Sequence, residues 1–328
     1  MNVLIKKYYR NFAALTLALV SLLCFCACED GDVLSGDGAS QPTASSTDSA
    51  SKDPNATLPN VQASDNFSDF DTTIAYDSAT ATKITLSDGA SKAEGTGVVI
   101  SGDVITVNRP GTYIVSGSLS DGRIVVTVEK VEKVQLVLAG VNVKNSKSAP
   151  LYITSADKVS LTLAEGSENI FEDARYYDTE SVSSGVNACI FSKDDLTING
   201  YGKLTVKGNY NNGIGTSNDL KIVSGSVEVV AANNGLKGKD SVLINSGNVN
   251  VEAGKDGLKS DETDDPLKGL VCIEGGNVNI KSVDDAIQAE NSIIITGGTV
   301  TTQAEGKSYN CKNLDGTVTI SDGCLVEK

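Results

Sequence analysis

Histidine and tryptophan are absent from the 328 residues, methionine occurs once, and aromatic residues make up only 5%. Each absence excludes something. Without histidine, and with none of the later cysteines (Cys189, Cys272, Cys311, Cys324) in C-x-x-C spacing, the usual donors for zinc, copper or iron are missing. Without tryptophan, aromatic platforms for sugar rings reduce to tyrosines such as Tyr201, Tyr210 and Tyr309. Positive charge is also scarce. Lys and Arg number 27 against 42 Asp and Glu, a net charge of −15. That balance excludes a nucleic-acid partner, which needs clustered cations, and suits cations or a positively charged surface. It also serves simply to keep an exported protein dissolved. What is abundant is glycine, at 32 residues, together with Val, Ile, Thr and Asn. This is a β-rich, Gly-punctuated profile, short of the runs that build helices.

The N-terminus reads as an export signal. Lys6, Lys7 and Arg10 precede an apolar run from Phe12 to Leu23, which is too short to span a bilayer comfortably. Phe25-Cys26-Ala27-Cys28-Glu29 resembles a bacterial lipobox, making Cys28 the candidate for acylation and predicting an extracellular, membrane-anchored lipoprotein. Residues 1–28 are then the signal peptide. Residues 29–75, mostly Ser, Asp, Ala, Thr, Gly and Pro up to Asp65, read as a disordered tether. Residues 76–328 read as one folded domain. Cys189 and Cys272 sit in apolar, strand-like contexts that predict buried core thiols. Whether Cys311 and Cys324 pair stays open.

An internal repeat sets the architecture. Aligned on Cys189, Gly213, Gly235, Gly257 and Ala286, copies of one pattern recur at steps of 24, 22, 22 and 29 residues, the last lengthened by an acidic insertion near Asp261 to Leu267. Each copy continues with two alternating segments around a Gly corner. Leu220 and Ile222 precede Ser224-Gly225 and Val227 and Val229 follow; Val242, Ile244, Ser246-Gly247, Val249 and Val251 repeat the scheme. Coils of about 22 residues are too short for propeller blades and lack helix periodicity. The predicted fold is therefore all-β, a parallel β-helix, right-handed by the general crossover rule. Less regular segments such as Val98–Ile100, Ile124–Val126 and Val159–Leu163 read as earlier coils.

Such a solenoid turns repeats into ladders one strand spacing apart, about 4.8 Å. One ladder is Asn212, Asn234, Asp256, Asp285, preceded by Asn211, Asn233, Lys255 and Asp284; a second is Asp194, Asn218, Asp240, Glu262, Asn291. Stacked carboxylates repel unless a cation lies between them or one is protonated. Asp256 over Asp285, with Asp284 alongside, therefore predicts a hard cation with oxygen ligands, for which Ca2+ is suited. Asp240, Asp261, Glu262 and Glu290 on the same acidic coils, and Asn234 in the ladder, are further candidate ligands. The asparagines also have a plain structural use, because stacked amides satisfy one another and the corner backbone. The acidic insertion reads equally as a cap on the site or a solvated loop.

The segments Ser192-Lys-Asp-Asp-Leu-Thr-Ile-Asn-Gly, Asn209-Tyr-Asn-Asn-Gly-Ile, Gly235-Leu-Lys-Gly-Lys-Asp-Ser-Val, Asp256-Gly-Leu-Lys-Ser and Asp284-Asp-Ala-Ile-Gln-Ala-Glu resemble a clostridial carbohydrate-binding domain family. Gly111-Thr-Tyr-Ile-Val-Ser-Gly and Asp157-Lys-Val-Ser-Leu-Thr-Leu extend the resemblance upstream. It implies a calcium-binding, pectate-lyase-like parallel β-helix whose partner is a polysaccharide, acidic (pectin-like) or cellulose. Where that family usually shows Asp-Asp-Gly, this chain has Asn233-Asn234-Gly235 and Lys255-Asp256-Gly257, departures that bear on the number of ions held. Binding without catalysis is the first expectation. A calcium-assisted β-elimination would need a Lys or Arg base, with Lys237, Lys239, Lys255 and Lys259 as candidates, but lysines among carboxylates suit salt bridges better. A structural surface adhesin is the third alternative.

Overall fold

Branched apolar residues alternating with polar ones put one side of each strand inward and the other outward. In the computed structural model, which describes Asp65 and residues 67–328, this pattern winds into a parallel β-helix. Each regular coil contributes three strands. In one coil they are Asn212–Thr216, Asp219–Ile222 and Ser226–Ala231; in the next, Leu236–Gly238, Ser241–Ile244 and Asn248–Ala253. Sequence periodicity shows only two of them. The third is the Asn-Gly motif itself, and strands of three residues such as Leu236–Gly238 and Leu258–Ser260 are too short for alternation to declare them. Equivalent strands pair in parallel at the expected register, Ile214 with Leu236, Leu236 with Leu258, and Leu258 with Ile287.

The core is a set of apolar columns. Ile190, Ile214, Leu236, Leu258 and Ile287 stack on one wall, and Ile198, Ile222, Ile244, Ile273 and Ile295 on the second. Val206, Val229, Val251 and Ile280 line the third, and all of these side chains are buried. Two kinds of glycine make this possible. Gly225, Gly247, Gly276 and Gly298 turn the corner between the second and third walls with φ between +77° and +101°, a conformation other residues resist. The motif glycines have ordinary φ but meet a close approach: a Cβ at Gly235 would lie 2.2 Å from Val251 Cγ1, and one at Gly257 2.2 Å from Ile280 Cγ2.

The first coils are capped by the antiparallel pairings of Thr82–Leu86 with Lys92–Glu94 and of Val98–Ser101 with Val104–Val107. Val98–Ile100 is thus part of a capping hairpin, while Ile124–Val126 and Val159–Leu163 lie in parallel strands.

Two segments lie on the outside of the solenoid. Residues 173–187, with the helix Thr179–Ser183, sit beside an outer cluster of Ala149, Tyr152, Val186, Ala188 and Phe191. The second is an N-terminal strap that begins before the expected domain start at residue 76. The helix Asp69–Thr72 is closed by a capping box at Ser68, and Asp71 is fully buried against the outer face of the second wall. Its carboxylate accepts hydrogen bonds from Lys158 Nζ (2.9 Å) and Thr197 Oγ1 (2.5 Å), with Lys221 Nζ at 3.6 Å, while Asn199 donates to the carbonyls of Asp71 and Thr73. Residues 67–75, assigned by composition to the tether, thus pack on the solenoid. Composition hid this because a single well-placed acid, not an apolar run, holds the segment down. The expected signal segment 1–28, with Cys28, and the tether as far as residue 64 lie outside the described residues.

Cys189 is a core thiol as expected, with Ile190 and Ile198 in its cluster. Cys272 is buried too, but on the outer face, packed with Leu243, Phe67, Leu270 and Ile294. Val271 and Ile273 take the inward positions on its strand, so period two sends Cys272 out. Cys311 and Cys324 are free thiols, not a disulfide.

Candidate functional site

The corner before the motif strands carries the first ladder. At its N-terminal end it consists of amides satisfying one another. Asn212 donates to the backbone carbonyl of Asn187 (2.9 Å), Asn234 Nδ2 to Asn212 Oδ1 (2.8 Å), and Asn233 Nδ2 to Asn211 Oδ1 (2.6 Å). Asn234 Oδ1 in turn accepts the backbone N–H of Asp256 at 3.4 Å. Among the described residues, then, Asn234 lies below the acidic site with both amide ends in use.

One coil further on, amides give way to carboxylates. Asp256, Asp284 and Asp285 bring one carboxylate oxygen each within 4.8 Å of one another. Asp256 and Asp285 are buried and Asp284 is exposed, so the cluster has a closed floor and an open mouth. The floor is tightly oriented. Asp256 accepts from Lys259 Nζ (3.0 Å), Gln288 Nε2 (3.2 Å) and the Asp285 backbone N–H (3.3 Å). Asp285 accepts from the Lys307 backbone N–H (3.0 Å) and Asn310 Nδ2 (2.5 Å), with Lys312 Nζ at 4.0 Å. Among the described residues, the three anions thus face Lys259 at bonding distance and Lys312 at 4.0 Å. Gln288 and Asn310 carry sequence signals only in hindsight of the register. They occupy the place of Lys259 in the next two coils, and the copy containing Asn310 is disguised because Ser308 stands where earlier copies have Gly.

The other candidate ligands do not join this cluster. Asp240, Asp261 and Glu262 each hold a lysine instead, Lys268 (2.8 Å), Lys237 (2.7 Å) and Lys239 (2.8 Å). The Glu262 partnership lowers its carboxyl and raises the Lys239 ammonium from their ordinary ranges. Glu290 lies at the far end of its motif strand, where its backbone carbonyl accepts from Asn313. The acidic insertion is consequently an ion-paired loop at the opposite end of the short strand from Asp256. Of the lysines weighed as bases, Lys237, Lys239 and Lys259 are ion-paired and Lys255 is exposed.

A second acidic feature escapes sequence reasoning. Asp173, buried, accepts hydrogen bonds from Tyr177 Oη (2.6 Å) and the backbone N–H of Asn209. Burial raises its carboxyl to about 6 despite those bonds, and burial next to Asp173 pushes the Tyr177 phenol far up. Tyr177 also stacks on Tyr210 with ring centroids 4.0 Å apart, so Tyr210 is engaged within the protein. Tyr201 remains 68% exposed and Tyr309 39%. Tyr176, which the pattern gave no reason to notice, is 83% exposed.

A parallel β-helix with an oxygen-lined acidic corner defines the class. The chain belongs to the family described as "Carbohydrate-binding domain-containing protein", whose match covers residues 101–325. A relative of that description from Acetivibrio thermocellus is 49% identical over 136 residues, 41% of this chain and 48% of the relative, so the match spans about half of that relative's length. Among solved structures, the polysaccharide lyase-like protein from C. thermocellum, as its gadolinium derivative, is similar at a TM-score of 0.73 and 44% identity, over 76% of this chain and all of the other.

Proposed function

We propose that this chain is an exported lipoprotein that binds polysaccharide, preferably uronate-bearing, through a calcium ion held by Asp256, Asp284 and Asp285. The observation that carries the reading is the convergence of three carboxylates, two buried and one open, on one point of the corner. Its donors are all oxygen, which suits a hard cation of six to eight ligands. Three carboxylates leave coordination places for water or a glycan. The ion, when bound, supplies the positive charge that bridges protein carboxylates to glycan carboxylates. Family membership supports a carbohydrate partner.

The residues do the rest. Asn234 and the backbone below orient Asp256, Asn310 and the Lys307 N–H orient Asp285, and Lys259 offsets one charge. The lyase-like description of the structural relative raises β-elimination as a second reading. Ion pairing of Lys237, Lys239 and Lys259 argues against those three as its base, because a lysine held by a carboxylate is a poor base, and leaves the exposed Lys255 as the base it would need.

Affinity electrophoresis through polygalacturonate and cellulose gels, with calcium or with chelator, tests the proposal. Calcium-dependent retardation in the acidic gel is expected. Equal mobility in every gel would refute it, and accumulation of unsaturated products absorbing in the ultraviolet would replace binding by lysis.

A further inference from the structure

The same corner carries another surface, two coils nearer the N-terminus. A groove of about 460 Å³ lies between the loop residues Arg175 and Tyr176 and a floor formed by Gly208, Asn209, Ala231 and Ala232. The floor is open because its side chains are small or absent. The two residues above it are held out by their neighbours. Asp173 on one side bonds the backbone of Asn209, and Tyr177 on the other is fixed by Asp173, by the Ala188 carbonyl (3.0 Å) and by its stack on Tyr210. The loop is therefore pinned on both flanks of the Arg175-Tyr176 pair, while the pair itself is exposed.

In a chain with a net charge of −15, Arg175, like Arg109 and Arg123, makes no ion pair among the described residues. The acids within three residues of it are engaged elsewhere. Glu172 holds Lys144 (3.2 Å) and lies 3.7 Å from Lys207, Asp173 is bonded to Tyr177, and Asp178 caps the helix Thr179–Ser183. An unclaimed guanidinium favours planar, bidentate anions such as carboxylates. An exposed tyrosine ring beside it offers an apolar face for a sugar ring, and Tyr with Arg is a combination that anchors interfaces.

We infer that the Arg175–Tyr176 groove is a second subsite for the same acidic glycan, taking a uronate unit some coils away from the carboxylate cluster. The inference rests on the calcium-dependent reading of the Asp256, Asp284 and Asp285 site. The coils link the two places in order. Ala232 stacks on Gly208, Gly254 on Ala231 and Val283 on Ala253, each through a backbone hydrogen bond. At about 4.8 Å per coil, the groove and the cluster lie roughly 10–15 Å apart along the axis. A glycan of several units laid parallel to the axis reaches both, and a single sugar cannot. The cation at one end and the guanidinium at the other set a preference for chains carrying carboxylates at intervals.

The test is calorimetric titration of the whole folded protein, in calcium, with long oligogalacturonates and with neutral cello-oligosaccharides. Arg175→Ala and Tyr176→Ala are each expected to weaken oligogalacturonate binding about ten-fold, with the calcium-induced rise in Tm unchanged, and Tyr176→Phe to bind like the parent. Oligogalacturonate affinity unchanged in both alanine variants, with binding abolished in Asp285→Ala, would overturn the subsite and leave the calcium reading intact. Equal weakening towards the neutral chain would overturn the carboxylate role of Arg175. No calcium-dependent binding by the parent protein would overturn both proposals together.

Discussion

Replacing Asp71 by Ala tests the strap. The carboxylate is fully buried between Lys158 and Lys221, whose own side chains are only 9% and 6% exposed. Removing one partner of a buried ion pair costs about 3–5 kcal/mol, because the remaining charge is stranded. The low end applies here, since Lys158 keeps Asp195 and Lys221 keeps Asp219, each at 3.7 Å. A loss of about 3 kcal/mol corresponds to a fall in Tm of roughly 6–12 °C for a domain of this size. The pH dependence adds a sharper signature. Burial pushes the Asp71 carboxyl up, but hydrogen bonds from Thr197, Lys158 and Ser68 and the charge of Lys221 outweigh it and hold it at about 2, below its ordinary 3.8. A depressed folded value means that the stabilisation is complete above the unfolded value and is lost as pH falls through the folded one. Parent and variant should therefore differ most above about pH 4 and converge by about 2 kcal/mol on approaching pH 2. Urea denaturation followed by circular dichroism at a series of pH values measures this. A difference that stays constant from neutral pH to pH 2 would refute the role assigned to the Asp71 charge.

Other outcomes follow from the same reasoning. Calcium should raise the Tm of the parent protein, and Asp285→Ala should lose most of that rise, as differential scanning fluorimetry with and without chelator would show, because an ion bound only by the native state must stabilise it. Asp173, raised to about 6 by burial, is costly to ionise, so stability should decline by about 3 kcal/mol as pH rises from near 4 to near 6. Tyrosine emission, unobscured by tryptophan, should report a midpoint near 6 that Asp173→Asn abolishes. Maleimide should label Cys311 and Cys324 in the native protein, Cys311 slowly because burial raises its thiol, and releasing the strap with Asp71→Ala should add Cys272 while Cys189 stays silent, as peptide mass mapping would reveal. Gly235→Ala should cost about 1–3 kcal/mol in denaturant titrations, because its Cβ would collide with Val251 and the neighbouring coil must shift.

The solenoid was legible because its physics repeats. A register error in one coil would turn every inward Val and Ile outward, so selection of inward columns leaves a period that can be read directly. The carboxylate cluster was legible for the same reason, since Asp256 and Asp285 occupy equivalent places and stacking makes them neighbours. The pairing of Asp240, Asp261 and Glu262 with lysines was not legible. Those contacts depend on the path of the insertion after Ser260, which has no counterpart in other coils. The strap was hidden for a different reason: Asp71 looks like any acid in a polar stretch, and its partners Lys158, Thr197 and Lys221 come from three separate coils. Likewise Tyr176 and Arg175 lie in a loop without a repeat, where spacing carries no information.

The strap has a consequence for how the body comes apart. In a solenoid each coil touches only its neighbours, so heat or denaturant can fray it from an end one turn at a time. The segment from Phe67 to Ala75 runs lengthwise instead. Phe67 packs with Leu243 and Cys272, Asp71 reaches Lys221, Thr197 and Lys158, and the Ala75 carbonyl lies 3.5 Å from Gln135 Nε2. One short stretch of chain thus touches six successive strands of a single wall, Lys133–Lys144, Lys158–Leu163, Asp195–Gly200, Asp219–Ile222, Ser241–Ile244 and Leu270–Ile273. It acts as a rivet through layers that otherwise could peel separately, converting a zipper into a block that must yield all at once or shed the rivet first.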